Sequence, residues 1–195
     1  MKKGAGTVIL LFVIALLIIL HFPKKETYDD TTLSLESLQS DGEYQFGNIE
    51  WRLSLPWVND KLPYHLAQDT TKGQPDKKKF TYNINYYKTK NRYVLDGQAA
   101  KATFEFVAGS LEVIKFNFHL DDDYQQWFED QVAKLQQLYG AESDKIETFS
   151  QELNIKTIGY RWDTDRTTLQ FLLTTGDTIH PSATLGLAFK GNTLE

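Results

Sequence analysis

Five carboxylates come nearest to chemistry in this chain: Asp121, Asp122 and Asp123 in an unbroken run, and Asp163 and Asp165 in a D-x-D pair. Brought together in space, their hard oxygen ligands would suit Ca²⁺. The D-x-D spacing lacks the remaining ligands of an EF-hand loop, however, and the same residues serve simpler ends. Three aspartates ahead of an amphipathic run supply an N-cap and place negative charge at the positive end of a helix dipole. Asp163-Thr164-Asp165-Arg166 reads as a polar turn. The sequence therefore predicts neither a metal site nor a cofactor.

Other catalytic chemistries lack their parts. Nucleophilic catalysis needs a serine or cysteine beside a base. The chain has no cysteine and no G-x-S-x-G. Its four histidines, His21, His65, His119 and His180, stand at none of the H-x-x-x-H or H-E-x-x-H spacings that bind zinc. Gly97, Gly109, Gly140 and Gly159 are isolated, as turn, cap or bulge glycines are, and build no phosphate loop. Paired carboxylates for glycoside hydrolysis need a cleft and a raised pKa on one partner, which nothing local provides. The reading is a protein that is not an enzyme; a carboxylate or metal-dependent hydrolase is the outlying alternative.

Contact is what remains. Tyrosine joins a large apolar area to a polar handle, which suits interfaces. Most aromatic residues here must fill the core, but Tyr87 and Tyr93 fall out of phase or beside a turn and are expected at the surface. With Asp121, Asp122, Asp123, Asp163 and Asp165 they form the candidate partner-binding set. The charge balance agrees. The chain carries 26 acidic and 21 basic residues, a net charge of −5. Lys2 and Lys3 lie in the first segment, so the remainder carries −7. That disfavours nucleic acid and anionic lipid headgroups and suits a partner with a basic surface.

The elements that must position these residues start with a membrane segment. Val8 to Leu20 is unbroken apolar sequence, and Gly4 to Phe22 gives 19 residues without formal charge. At about 1.5 Å per residue this crosses most of a hydrocarbon core roughly 30 Å thick. The following residues are bulky and no cysteine follows, so neither a peptidase site nor a lipoprotein site is present. Residues 1–23 are read as an uncleaved signal anchor, residues 24–40 as a tether, and residues 41–190 as one extracellular domain. Lys2 and Lys3 balance Lys24 and Lys25; the free amino end and the short head favour an N-terminus inside and a C-terminal domain outside.

Within the domain, alternation predicts strands. Tyr44 and Phe46 lead through Gly47-Asn48 into Ile49, Trp51, Leu53 and Leu55, a hairpin that Pro56 ends. The stretch from Trp57 to Leu66 looks irregular. Phe80, Tyr82, Ile84 and Tyr86 alternate, and a short strand over Tyr93–Leu95 stops at Asp96-Gly97. The strongest hairpin joins Ala102–Phe106 to Leu111–Leu120 through Ala108-Gly109-Ser110, with a phase slip at Val113-Ile114 that marks a β-bulge. Tyr124, Phe128, Val132, Leu135 and Tyr139 recur at helical spacing, widened by Trp127 and Leu138 and closed by Gly140. Strands follow at Ile158–Trp162, Leu169–Leu173 and Leu185–Phe189, with Gly176 to Ser182 between the last two as a loop. This order predicts an α+β domain, an antiparallel sheet with one main helix on one face.

The layout resembles the TipC family: an uncleaved N-terminal anchor, a cysteine-free acidic ectodomain, and a helix ending in Tyr139-Gly140 followed by a Tyr160-Arg161-Trp162 strand. Members of that family are streptococcal membrane-anchored immunity proteins that face outward. They neutralise a toxin exported by a type VII secretion system, which attacks the cell-wall precursor lipid II. The resemblance covers general layout and carries over no functional residue. It implies a binding protein in the cell membrane whose partner is a secreted protein toxin, with no nucleic acid bound. The alternative is a cell-envelope sensor or assembly subunit that acts through its ectodomain and membrane helix.

Overall fold

The computed structural model describes residues 29–72 and 83–190. The predicted anchor, together with Phe80 and Tyr82, lies outside the described residues. Among the described residues no helix is long and apolar enough to cross a membrane.

The fold is α+β, a large mixed sheet with two helices. Its strands are β1 (Asp30–Thr32), β4 (Ala67–Gln68), β5 (Ile84–Lys88), β6 (Arg92–Leu95), β7 (Gln98–Val107), β8 (Ser110–His119), β9 (Asp144–Ser150), β10 (Ile155–Asp163), β11 (Thr167–Gly176) and β12 (Ile179–Phe189). Their order is β1-β6-β7-β8-β12-β11-β10-β9, with β5 beside β6 along the same edge of β7 and β4 outside β5. A two-stranded ribbon, β2 (Gln39–Ser40) and β3 (Glu43–Tyr44), stands apart. The helices are α1 (Leu55–Lys61) and α2 (Tyr124–Tyr139).

Several expectations change on contact with this topology. The sheet is antiparallel except that β1 runs parallel to β6. Residues 30–40 of the expected tether belong to the fold: Leu33, Leu35 and Leu38 are buried in the core and Asp30 pairs with Arg92, while residues 24–28 lie outside the described residues. Pro56 begins helix α1 rather than ending a strand, because its fixed φ and missing N–H suit the first turn. The turn at Gly47-Asn48 exists, but only one bridge, Phe46 to Ile49, flanks it. Pro181 lies inside β12, where the register shifts between Thr174 and Gly176, and the connection shrinks to Asp177-Thr178. Strand β9 carries too little apolar pattern to be read in advance.

Other signals translate directly. Ala108-Gly109 turns β7 into β8 with φ of 50° and 84°, and Asp96-Gly97 turns β6 into β7 with 44° and 82°, the left-handed pair that a two-residue hairpin needs. The bulge is present but falls before Val113-Ile114: Glu112 is the extra residue opposite Glu105 and Phe106, so Leu111 and Ile114 share a face and Val113 takes the other. Gly140 ends α2 at φ +82°. Phe128, Val132 and Leu135 turn inward, with Phe128 stacked on Phe171 at 4.7 Å. Leu138 instead is part-exposed. Trp162 is 1 % exposed, and its indole N–H donates to the Gly140 carbonyl at 3.0 Å, fastening the helix end to β10. The N-terminal segment covers the rest of this face, where Phe46, Tyr93 and Phe116 meet edge to face.

Candidate functional site

Register fixes where each acidic residue goes. His119, the last residue of β8, pairs with Ser182 near the start of β12, and the Leu120 N–H donates to the Pro181 carbonyl at 3.1 Å. Gly176 pairs with both Ile179 and Ile155, so the β11–β12 and β9–β10 turns lie at this same end of the sheet. Asn154 donates to the Asp177 carboxylate across those two turns. Three connections therefore converge at one end: residues 120–123, 151–154 and 177–178. At about 4.8 Å between strands they cover roughly 15 Å. They present Asp121, Asp122, Asp123, Glu152 and Asp177, all exposed, and no lysine or arginine. Leu153 stands among them at 59 % exposure, one of the most exposed large apolar side chains described.

Asp163 and Asp165 are at the opposite end. Asp163 pairs with Thr168, and Thr168 with Ala188 of β12, six residues from Ser182. At about 3.4 Å per residue the two acidic groups are separated by roughly 20 Å, which removes the five-carboxylate calcium site. Among the described residues no group of histidine, cysteine, aspartate and glutamate is arranged to hold a metal. The partner of the helix start is the Glu152 and Asp177 turns, which sequence spacing did not pair with it. Asp123 stands at the N-cap but makes no side-chain capping hydrogen bond. The three aspartates keep their dipole role and leave their oxygens to solvent.

Asp163 is committed to structure. It accepts from Arg161 at 3.0 Å and from the Thr168 hydroxyl at 2.7 Å, while Asp165 is exposed in the turn. Beside it lies a polar cluster with no sequence signal, because its members are distant in the chain. Glu43 of β3 accepts from the hydroxyls of Thr164 and Thr167 and from the Arg166 N–H, and Thr167 Oγ1 accepts from the Tyr44 N–H at 2.7 Å. Burial opposes ionisation of Glu43, yet those donors together hold its carboxyl below the ordinary value. The cluster lines a depression of about 270 Å³ with Trp51, Glu50 and Phe189. Among the described residues the side-chain hydrogen bonds of Glu43 tie the β2–β3 ribbon to Thr164, Arg166 and Thr167 at the β10–β11 turn, a structural role.

Neither tyrosine of the candidate set is a free surface residue. Tyr93 is 3 % exposed, locked between Phe46 and Phe116. Tyr87 is half-buried and meets Phe106 edge to face at 5.3 Å. Its neighbour Tyr86 takes the opposite face, against Glu105 and under the Lys72 ammonium. Thr89, Asn91, Tyr93 and Leu95 are buried while Lys90 and Arg92 are exposed, so Tyr93 stands on the same inward phase as Tyr87, with two polar residues at the inward positions between them. No family model matches the chain, and no curated protein or solved structure is significantly similar to it.

Proposed function

We propose that this protein is held in the cell membrane by residues 1–23, faces outward, and neutralises a secreted protein by occluding it, as an immunity protein neutralises a toxin. Occlusion needs a rigid complementary surface and no catalytic group. The observation that carries the reading is the acidic end of the sheet, where five carboxylates from three connections surround exposed Leu153. An apolar anchor in a charged rim is the layout of an interface hot spot, and the acid excess steers a basic partner. A stable complex buries about 1,600 Å² in total, so neighbouring surface must join this patch. Tethering raises the local concentration of the inhibitor where the partner arrives.

Deletion of the gene tests the reading. Cells lacking the chain should stop growing when exposed to the proteins that their own strain secretes, and the full chain should restore growth. Leu153→Asp should not restore it, although it unfolds at the wild-type temperature. Unimpaired growth of the deletion strain refutes the immunity reading. Full protection by Leu153→Asp refutes the assignment of the surface.

A further inference from the structure

The sheet ends unequally. One side finishes in β1 and β4, of three and two residues. The other finishes in β9, which pairs with β10 over seven consecutive residues without a bulge or proline and has no described partner on its outer side. A free edge of that length is a template for another strand. It also carries Phe149, 58 % exposed, on the same face of the sheet as α2.

The residues of β9 select the occupant. Lys145 and Glu147 share the helix-side face with Phe149, because they pair with Tyr160, Ile158 and Lys156, while Asp144, Ile146 and Thr148 point to the other face. Antiparallel pairing of two copies about an axis normal to the sheet keeps like faces together. An axis at Lys145 opposes two lysines, and one at Glu147 opposes two glutamates. An axis at Ile146 opposes Lys145 to Glu147 twice, Ile146 to itself, and Asp144 to the Thr148 hydroxyl. Opposite charges directly across a strand pair stabilise it and like charges destabilise it. We infer that β9 is a homodimer edge, joining two copies of this chain into one continuous sheet in the register centred on Ile146. The same axis keeps residues 29–53 of both copies on one side of the sheet. The inference stands apart from the capture of a secreted protein, since Leu153 and the three acidic connections lie beyond the paired residues.

The absence of native cysteine makes the register directly readable in the full chain in membranes. Opposed Cα atoms across an antiparallel pair are about 4.5–5.5 Å apart, within disulfide reach. Mild oxidation of Ile146→Cys should therefore yield a covalent dimer. Thr148→Cys alone should stay monomeric, because its copies are offset by four residues, about 13 Å. The exposed pair Asp144→Cys and Thr148→Cys in one chain should link again, which tests the register without touching half-buried Ile146. In the Ile146→Cys background, Lys145→Glu or Glu147→Lys should cut the yield several-fold, and the two together should restore it. Monomeric Ile146→Cys and Asp144→Cys/Thr148→Cys proteins, equal linking by Thr148→Cys, or a double charge reversal that stays low would each overturn the inference.

Discussion

Replacing Gly159 by alanine gives the sharpest test of the packing described above. Gly159 lies in the middle of β10, paired with Leu172 on one side and Ile146 on the other. In an open strand the change helps, because glycine costs roughly 0.5–1 kcal/mol relative to alanine. Here a Cβ would come within 2.4 Å of the Phe171 carbonyl oxygen, 2.5 Å of Leu172 Cδ2 and 2.9 Å of Leu172 Cα. Two of the three obstacles are backbone, so relief requires prising β10 from β11. Overpacking of this kind costs about 1–3 kcal/mol. For a chain of this size each kcal/mol moves the thermal midpoint by roughly 2–4 °C, so Gly159→Ala should lower it by about 2–12 °C. Circular dichroism melts of the full chain read the shift. Combining the change with Leu172→Ala should restore only part of the loss, since the Phe171 oxygen remains. A raised midpoint, or complete rescue by the double variant, would refute the backbone clash.

Further outcomes follow from other contacts. Trp162→Phe removes the indole donor tying the Gly140 carbonyl to β10 and leaves space in the core, at a cost of about 2–4 kcal/mol in urea unfolding; a midpoint within error of wild type counts against that link. Tyr93→Ala empties a position between Phe46 and Phe116 and should cost about 3–5 kcal/mol, whereas a surface tyrosine would cost almost nothing. Glu43 has a folded-state pKa below its unfolded value, so its contribution is present above about pH 4.3 and is lost as pH falls through the folded value. Glu43→Gln should therefore narrow the stability gap between pH 7 and pH 3, and an unchanged gap in urea midpoints argues against the assignment. Raising salt from 50 to 500 mM should slow partner association through the acidic end, with a smaller effect on dissociation.

What the chain revealed in advance tracks how local each signal is. The β7–β8 hairpin is legible because alternation, a two-residue turn and the bulge phase all sit within one stretch. Helix α2 is legible because its stripe and Gly140 are equally local. Strand β9 is silent for a physical reason: as an edge strand it buries neither face, so Lys145, Glu147 and Thr148 erase the period-two pattern. Pro56 misleads because proline breaks a strand and starts a helix with the same ring. Tyr93 misleads because the inward positions before it hold polar Thr89 and Asn91, so the apolar alternation that marks a buried face is missing there. The acidic set is half legible. Asp121, Asp122 and Asp123 are rightly placed at a helix start, but choosing between Asp163 and Asp177 as their neighbour requires knowing that β12 lies beside β8.

That one adjacency accounts for both proposed surfaces. Chain leaving β8 at the middle of the sheet passes through α2 and re-enters at β9, the outermost position. Strands β10, β11 and β12 then meander inward until β12 closes against β8. A meander laid inward leaves its first strand uncovered, which is why β9 is bare. It also returns alternate turns to the end from which the helix departed, which is why residues 151–154 and 177–178 gather beside Asp121. Had the meander run outward from β8, its last strand would be the open edge and β9 would be buried in the middle of the sheet. The same charges in the same order would then place Lys145 and Glu147 between two strands of one molecule, and no self-complementary edge would exist at β9.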